Sequence, residues 1–180
     1  YENEYVWKAY FSLGEELCNE MEKIDYLFVA VSTCGTLAGT SQKIKEQFPN
    51  CKIIAVDIVG SQIFEQSNRK KQISGIGTGM IPQNLMHAKY DDYMIIEEVD
   101  AISECNRLLS KGIAVGASSG AVAYAIQNYT GYSGDIESRK VVGIFPDRGE
   151  RYLDTIYDKE WCNKIDAGIL KWSSDNKTEL

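Results

Sequence analysis

Tyr26-Leu27-Phe28-Val29-Ala30-Val31-Ser32-Thr33-Cys34-Gly35-Thr36-Leu37-Ala38-Gly39 passes from a continuous apolar run, through a short hydroxyl-rich turn, into a helical pattern. The run from Tyr26 to Val31 is rich in strand-favouring residues and lacks polar alternation, so it reads as a strand covered on both faces. Beyond the turn, Leu37, Ile44 and Phe48 recur at helical spacing and Pro49-Asn50 stops the pattern, which predicts a helix over 37–48. In open parallel sheets ligands collect at strand C-termini, where helix N-termini present unpaired N–H groups and a partial positive charge. Residues 32–36 occupy such a position.

The same alternation extends in both directions. Upstream, Val6, Tyr10, Leu13, Leu17 and Met21 fall at three- and four-residue intervals and predict one core-facing helix over 5–21. Downstream, strands are predicted at Ile53–Asp57, Met94–Val99, Ile113–Val115 and Lys140–Phe145. Helices separate the later ones, the first capped by Asp100 and running to Lys111, the second from Ser119 to Asn128. Such an order implies an α/β fold, a mostly parallel sheet with helices on both faces. The long stretch between Gly60 and Asp92, with glycines at 75, 77 and 79 and no clear period, is a functional segment by its length. One domain is expected over 1–172, followed by a polar tail over 173–180.

Composition narrows the function classes. The 180 residues carry a formal net charge of -7, so there is no diffuse positive field for nucleic acid or anionic lipid. The apolar runs are too short to span a bilayer and the first residues have no signal-peptide layout, so a cytoplasmic enzyme or binding module is expected. Five cysteines at wide spacings and a single histidine, His87, supply neither a zinc site nor a disulfide framework. Apart from Cys34 in the turn, the cysteines read as small core residues and His87 as a surface or helix-end residue.

In the turn itself, Gly35 allows close approach of an anion, and the hydroxyls of Ser32, Thr33 and Thr36 can each donate to it, which suits a phosphate. Ser and Thr are equally preferred as plain N-caps. The turn lacks the lysine of a nucleoside-triphosphatase loop. Gly35 and Gly39 are spaced G-x-x-x-G, not G-x-G-x-x-G, yet Asp57 ends the next strand about where a dinucleotide fold places its ribose acid. A nicotinamide oxidoreductase and a non-catalytic phosphate-binding module therefore both remain open.

Residues 31–39 resemble the G-T-G-G-T-x-x-G loop of the cysteine synthase and cystathionine β-synthase family of pyridoxal-phosphate enzymes. Three more segments resemble that family in the same order: Ser74-Gly75-Ile76-Gly77 is similar to Q-G-I-G, Gly116-Ala117-Ser118-Ser119-Gly120 to G-I-S-S-G, and Pro146-Asp147-Arg148-Gly149-Glu150-Arg151-Tyr152-Leu153 to P-S-x-G-E-R-Y-L. The resemblance implies the C-terminal part of a tryptophan synthase β-subunit-like fold and pyridoxal 5'-phosphate as cofactor. It carries over Ser32, Thr33, Cys34, Gly35 and Thr36 as the phosphate cradle, with Gly75, Gly77 and Ser118 beside the cofactor. It also implies small amino-acid substrates, a homodimer, and a β-replacement in which an activated serine loses its Oβ group. Within the family the nearest likeness is to the diaminopropionate-pathway branch, which joins O-phosphoserine to glutamate for secondary metabolites such as siderophores; cysteine synthesis from sulfide is the alternative.

Three departures stand out. Cys34 replaces a glycine of the loop, with its side chain expected to face the core. Asp147 replaces the serine that, by the resemblance, meets the pyridine nitrogen, and would keep that nitrogen protonated; a tight Pro-Asp-Arg-Gly turn explains it equally well. Arg148 adds a cation for a substrate carboxylate or phosphate, or is a solvated turn residue. The N-terminal segment that bears the family's Schiff-base lysine has no match here, which leads to the expectation of an enzyme fragment without a catalytic residue of its own, whose partner is the missing N-terminal part.

Overall fold

The computed structural model describes residues 3–65 and 69–165. The expected boundary at 172 and the tail over 173–180 lie outside them. Strands β1 (Tyr26–Ala30), β2 (Lys52–Ile58), β3 (Asp92–Ile96) and β4 (Val141–Gly143) form one sheet in the order β3-β2-β1-β4. Every pairing is parallel, with Tyr26 opposite both Lys52 and Val141. From β1 the chain steps outward to β2 and β3, then crosses back to add β4 on the other side of β1. The direction of winding thus reverses beside β1, where open α/β sheets place their ligands.

Side chains alternate along the strands and build two cores. Leu27, Val29, Val31, Ile53 and Ala55 pack with Leu37 and Ile44 of α3 (Gly35–Gln47). Phe28, Ile54, Val56 and Ile58 pack with Ala101, Ile102 and Cys105 of α4 (Glu98–Leu109) and Val122 and Ala125 of α5 (Ala117–Asn128). Helices therefore cover both faces, and the continuous apolar character of β1 and β2 follows. Among the described residues no helix is long and apolar enough to cross a membrane.

Four local expectations are corrected. The single helix over 5–21 is two, α1 (Glu4–Lys8) and α2 (Phe11–Glu20), separated at Ala9-Tyr10. The segment bends because it follows α3 at two contact points: the Trp7 carbonyl presses on Gly39, and Gly14 seats against the Lys43 Cβ and Thr40 carbonyl. Val6 and Tyr10, expected in the core, are each 37% exposed. Ile113–Val115 is no strand, only an antiparallel bridge from Val115 to Arg148. Its backbone demand is met by one side chain, since the Tyr157 hydroxyl accepts from Val115 N–H (2.9 Å) and donates to Val115 C=O (2.7 Å). Asp100 does not cap α4, which starts after Glu97; the buried Glu98 instead turns inward to accept the N–H groups of Gln72 and Ile73. Lys45 of α3 is largely covered and bridges Asp91 and the Cys51 carbonyl, each at 2.7 Å.

The α4–α5 crossing depends on Gly120, where a Cβ would run into the Ala101 carbonyl and the Cys105 sulfur. Gly120→Ala is expected to lower stability by about 1–3 kcal/mol, the usual cost of overpacking, seen as a lower urea midpoint at unchanged slope. Gly79→Ala, at a position with open space around it, should stay within about 0.5 kcal/mol of the parent chain.

Candidate functional site

Beyond β1 the backbone is held by its neighbours. Val31 donates to Val56 C=O (2.9 Å) and accepts from Gly77 N–H (2.7 Å), so the last extended residue is tied to β2 and to the glycine segment. Cys34 then adopts φ 59°, ψ 7°, and it alone among the described non-glycine residues has positive φ. The left-handed conformation costs an L-residue about 1–2 kcal/mol. It turns the chain into α3 sharply, and the Cys34 side chain drops into the core at 2% exposure, as expected. Burial, aided by Asp57, pushes the thiol up to about 12, which keeps it protonated at neutral pH. No side chain caps α3, and the first helical bond runs from Ala38 N–H to Cys34 C=O. The N–H groups of Gly35, Thr36 and Leu37 consequently have no acceptor within the helix.

These residues border a cavity of about 220 Å³ at the C-terminal ends of β1 and β4. Ser32, Thr33, Cys34, Gly35 and Thr36 form one side, and Gly75, Ser118 and Pro146 contribute to the rest. Ser118 brings a second helix start to the cavity, since α5 begins at Ala117 and its N-cap, Gly116, offers no side-chain cap. Two helix N-termini, with Thr33 and Thr36 in the lining of the same small cavity, are chemistry suited to an anion. Among the described residues no group of three or more His, Cys, Asp or Glu side chains is placed to hold a metal.

Seven of the expected site residues thus meet around one space, and three do not border it. Gly77 stands behind the turn: its carbonyl accepts the Ser32 hydroxyl (3.1 Å), and its φ of 70° lets it lie against Ile58 and Ser61. Ser32 is therefore partly spent on bracing. Asp147 follows the cavity residue Pro146, and its carboxylate turns toward Gly116 and the Tyr152 hydroxyl, which donates to Oδ2. The other oxygen, Oδ1, is buried without a hydrogen-bond partner. Burial, with help from Asp147, pushes the Tyr152 phenol up to about 12, so it stays a donor. Arg148 is exposed and leads into a short 3-10 turn, Gly149–Tyr152.

Two contributors escaped sequence reasoning. Tyr152 lay within a recognised motif but carried no assigned role. Asn84, buried in a 3-10 turn over Gln83–His87, donates to the Thr33 carbonyl (3.0 Å) and steadies the cradle from outside. The same turn brings His87 into a stack on Trp7 at 4.6 Å, a packing role. Asp57, the candidate ribose acid, is 1% exposed and borders no part of the cavity; its Oδ1 accepts from Ile58 N–H (2.9 Å). Buried there, it has no free edge for a ribose hydroxyl, and burial pushes its carboxyl up to about 6.

Comparison with known proteins gives a consistent picture. The family described as pyridoxal-phosphate dependent enzyme matches residues 1–147. A curated relative, N-(2-amino-2-carboxyethyl)-L-glutamate synthase from Ralstonia nicotianae, is 36% identical over 93% of this chain and 50% of its own length. The solved O-acetylserine dependent cystathionine β-synthase from Helicobacter pylori superposes with a TM-score of 0.79 at 30% identity, covering 87% of this chain and 52% of that one. A hydrogen sulfide-producing enzyme solved with an α-aminoacrylate intermediate gives a TM-score of 0.76 at 29% identity, covering 90% of this chain and 52% of that one. The chain spans about half the length of the relatives it matches.

The turn generates two expectations. Cys34→Gly relieves the left-handed backbone and should keep the fold, whereas Cys34→Val, whose branched Cβ does not tolerate that conformation, should lose at least about 2 kcal/mol in a denaturant titration. For Asp57 the folded pKa lies above the ordinary 3.8, so its contribution is most favourable below that value and is lost as pH rises toward 6. The stability of the parent chain relative to Asp57→Asn should therefore fall by on the order of 3 kcal/mol across that window. A flat difference would show that the carboxyl ionises freely.

Proposed function

The chain belongs to the family of pyridoxal-phosphate-dependent enzymes, in its cysteine synthase branch, and from that premise we propose that the intact protein joins O-phosphoserine to glutamate by β-replacement, forming N-(2-amino-2-carboxyethyl)-L-glutamate. The observation that carries the cofactor part is the cavity between the α3 and α5 N-termini, with Thr33 and Thr36 on its wall. The substrate part rests on the 36% identity to the synthase of that name.

The residues present suit a phosphorylated pyridine. The unpaired N–H groups of Gly35, Thr36 and Leu37, with the Thr33 and Thr36 hydroxyls, would take the phosphate. Gly75, which has no side chain, leaves the cavity wall flat for a ring, and Ser118 offers a hydroxyl beside it. Asp147 lies outside the cavity wall with its carboxylate turned to Tyr152 and Gly116, so it is set away from a ring seated there. Bound there, pyridoxal phosphate supplies an electron sink for charge developing at Cα of an amino acid. The net exchange balances without an oxidant: the Cβ–O bond of O-phosphoserine breaks, phosphate leaves with the electron pair, an N–Cβ bond forms, and the glutamate amine gives up a proton.

Among the described residues no lysine borders this cavity, and in this reading the remaining half of the enzyme supplies it. A second reading, cysteine formation from sulfide, draws on the likeness to the O-acetylserine-dependent and sulfide-producing enzymes. Purified intact enzyme offered each serine ester with glutamate or sulfide separates the two; faster cysteine formation than glutamate consumption would overturn the glutamate assignment.

For the 180-residue chain alone, pyridoxal phosphate is expected to bind reversibly. Dialysis should remove its absorbance, and borohydride should leave no fixed adduct on the protein by mass spectrometry. In the intact enzyme Thr36→Val should weaken cofactor binding by about 1.5–3 kcal/mol, the worth of a hydrogen bond to a charged group, read by titration of the apoprotein.

A further inference from the structure

A second cavity, of about 250 Å³, adjoins the first. Ser32 and Thr33 border both, so this turn is the wall the two spaces share. Thr78, Met80, Ile81 and Gln83 form much of the remainder. We propose that this second cavity seats the amino-acid nucleophile of the β-replacement, with its carboxylate on the Thr78 and Gln83 side chains and its methylene stem on Met80 and Ile81. The inference rests on the proposed function and deepens it by assigning the second substrate a place.

The lining carries three features toward that assignment. First, it holds neutral donors: Ser32 already gives its hydrogen to Gly77 (3.1 Å) and Thr33 is assigned to the phosphate, which leaves the Thr78 hydroxyl and the Gln83 amide for a ligand here. Such donors suit one carboxylate, and among the described residues neither a carboxylate to repel it nor a lysine or arginine to draw a phosphate dianion borders the space. Second, Met80 and Ile81 are 65% and 66% exposed, an adaptable apolar flank for a short aliphatic stem. Third, Thr78 is held in place from behind, since its N–H donates to Ser61 Oγ (3.2 Å) and its carbonyl accepts from Gln62 N–H (2.8 Å). Those bonds occupy its backbone and leave its side chain to the cavity. The Ser32-Thr33 turn alone is common to the linings of the two cavities, so a ligand seated here lies beside the cofactor cavity.

The test compares two nucleophiles in intact, cofactor-loaded enzyme. Thr78→Val and the exposed-site variant Gln83→Leu should each raise the KM for glutamate about tenfold or more, the effect of losing a hydrogen bond to a charged group. The KM for sulfide, which has neither stem nor carboxylate, should change less than about twofold. Cofactor content and circular dichroism establish that each variant is folded, and Gln83→Leu, lying at the surface, serves if Thr78→Val does not assemble. An unchanged glutamate KM, or an equal rise for both nucleophiles, overturns the second cavity as the glutamate site. Adding O-phosphoserine alone to the parent enzyme checks the underlying reading separately: a change in the cofactor's visible spectrum upholds it, and no change refutes it whatever the variants do.

Discussion

Strand β1 is hydrogen-bonded on both edges and buried on both faces, and the rest of the molecule is arranged around that constraint. Parallel partners on either side fix its register, so the point where it ends is fixed too. The next residues have to leave the sheet within a few positions and enter α3 on the covering layer. Cys34 makes that exit by accepting a left-handed backbone. The strain is offset by burial of its side chain and by the bonds that pin Val31 to β2 and to Gly77. Unpaired N–H groups at the start of α3 are the chemical result of this geometry, and a phosphate is the natural partner for them.

The cavity shows how little of a site needs to be charged. Its polar character comes from helix ends and threonine hydroxyls, groups whose positions are set by the scaffold and not by side-chain freedom. The ionisable groups near it are kept at a distance or held in one state: the Cys34 and Tyr152 protons are retained by burial, and Asp147 is locked against Tyr152. Fixed donors of this kind do not need to reorganise when charge shifts in a ligand.

Legibility in the sequence followed the physics of each element. β1, β2 and α3 were readable because burial on both sides leaves an unmixed apolar run, and because Pro49 ends the helix chemically. The expected strand at Ile113–Val115 failed because an apolar triplet does not reveal that a distant tyrosine, Tyr157, will satisfy its backbone. The break at Ala9-Tyr10 was hidden for a similar reason, as it answers to the curve of α3 and not to any residue within the segment. Seven of the ten expected site residues meet because their motifs lie at strand ends and helix starts. Gly77, Asp147 and Arg148 fell outside the wall because a motif gives proximity along the chain, whereas facing a cavity depends on side-chain direction. Tyr152 and Asn84 act through other residues, and such supporting roles leave no periodic or compositional trace.

The pairing of β1 with β4 also sets an order of assembly. Tyr26 and Val141 are neighbours in the sheet yet lie near opposite ends of the described chain, so their contact closes a long loop and comes with a large entropic penalty before any local reward. The cradle at 32–36 can form early from β1, β2 and α3, but Pro146, which follows β4, reaches it only when β4 docks. On a ribosome the cavity therefore cannot exist until nearly all of this sequence has emerged. The cavity is thus completed together with closure of the sheet, by the same pairing that joins β4 to β1.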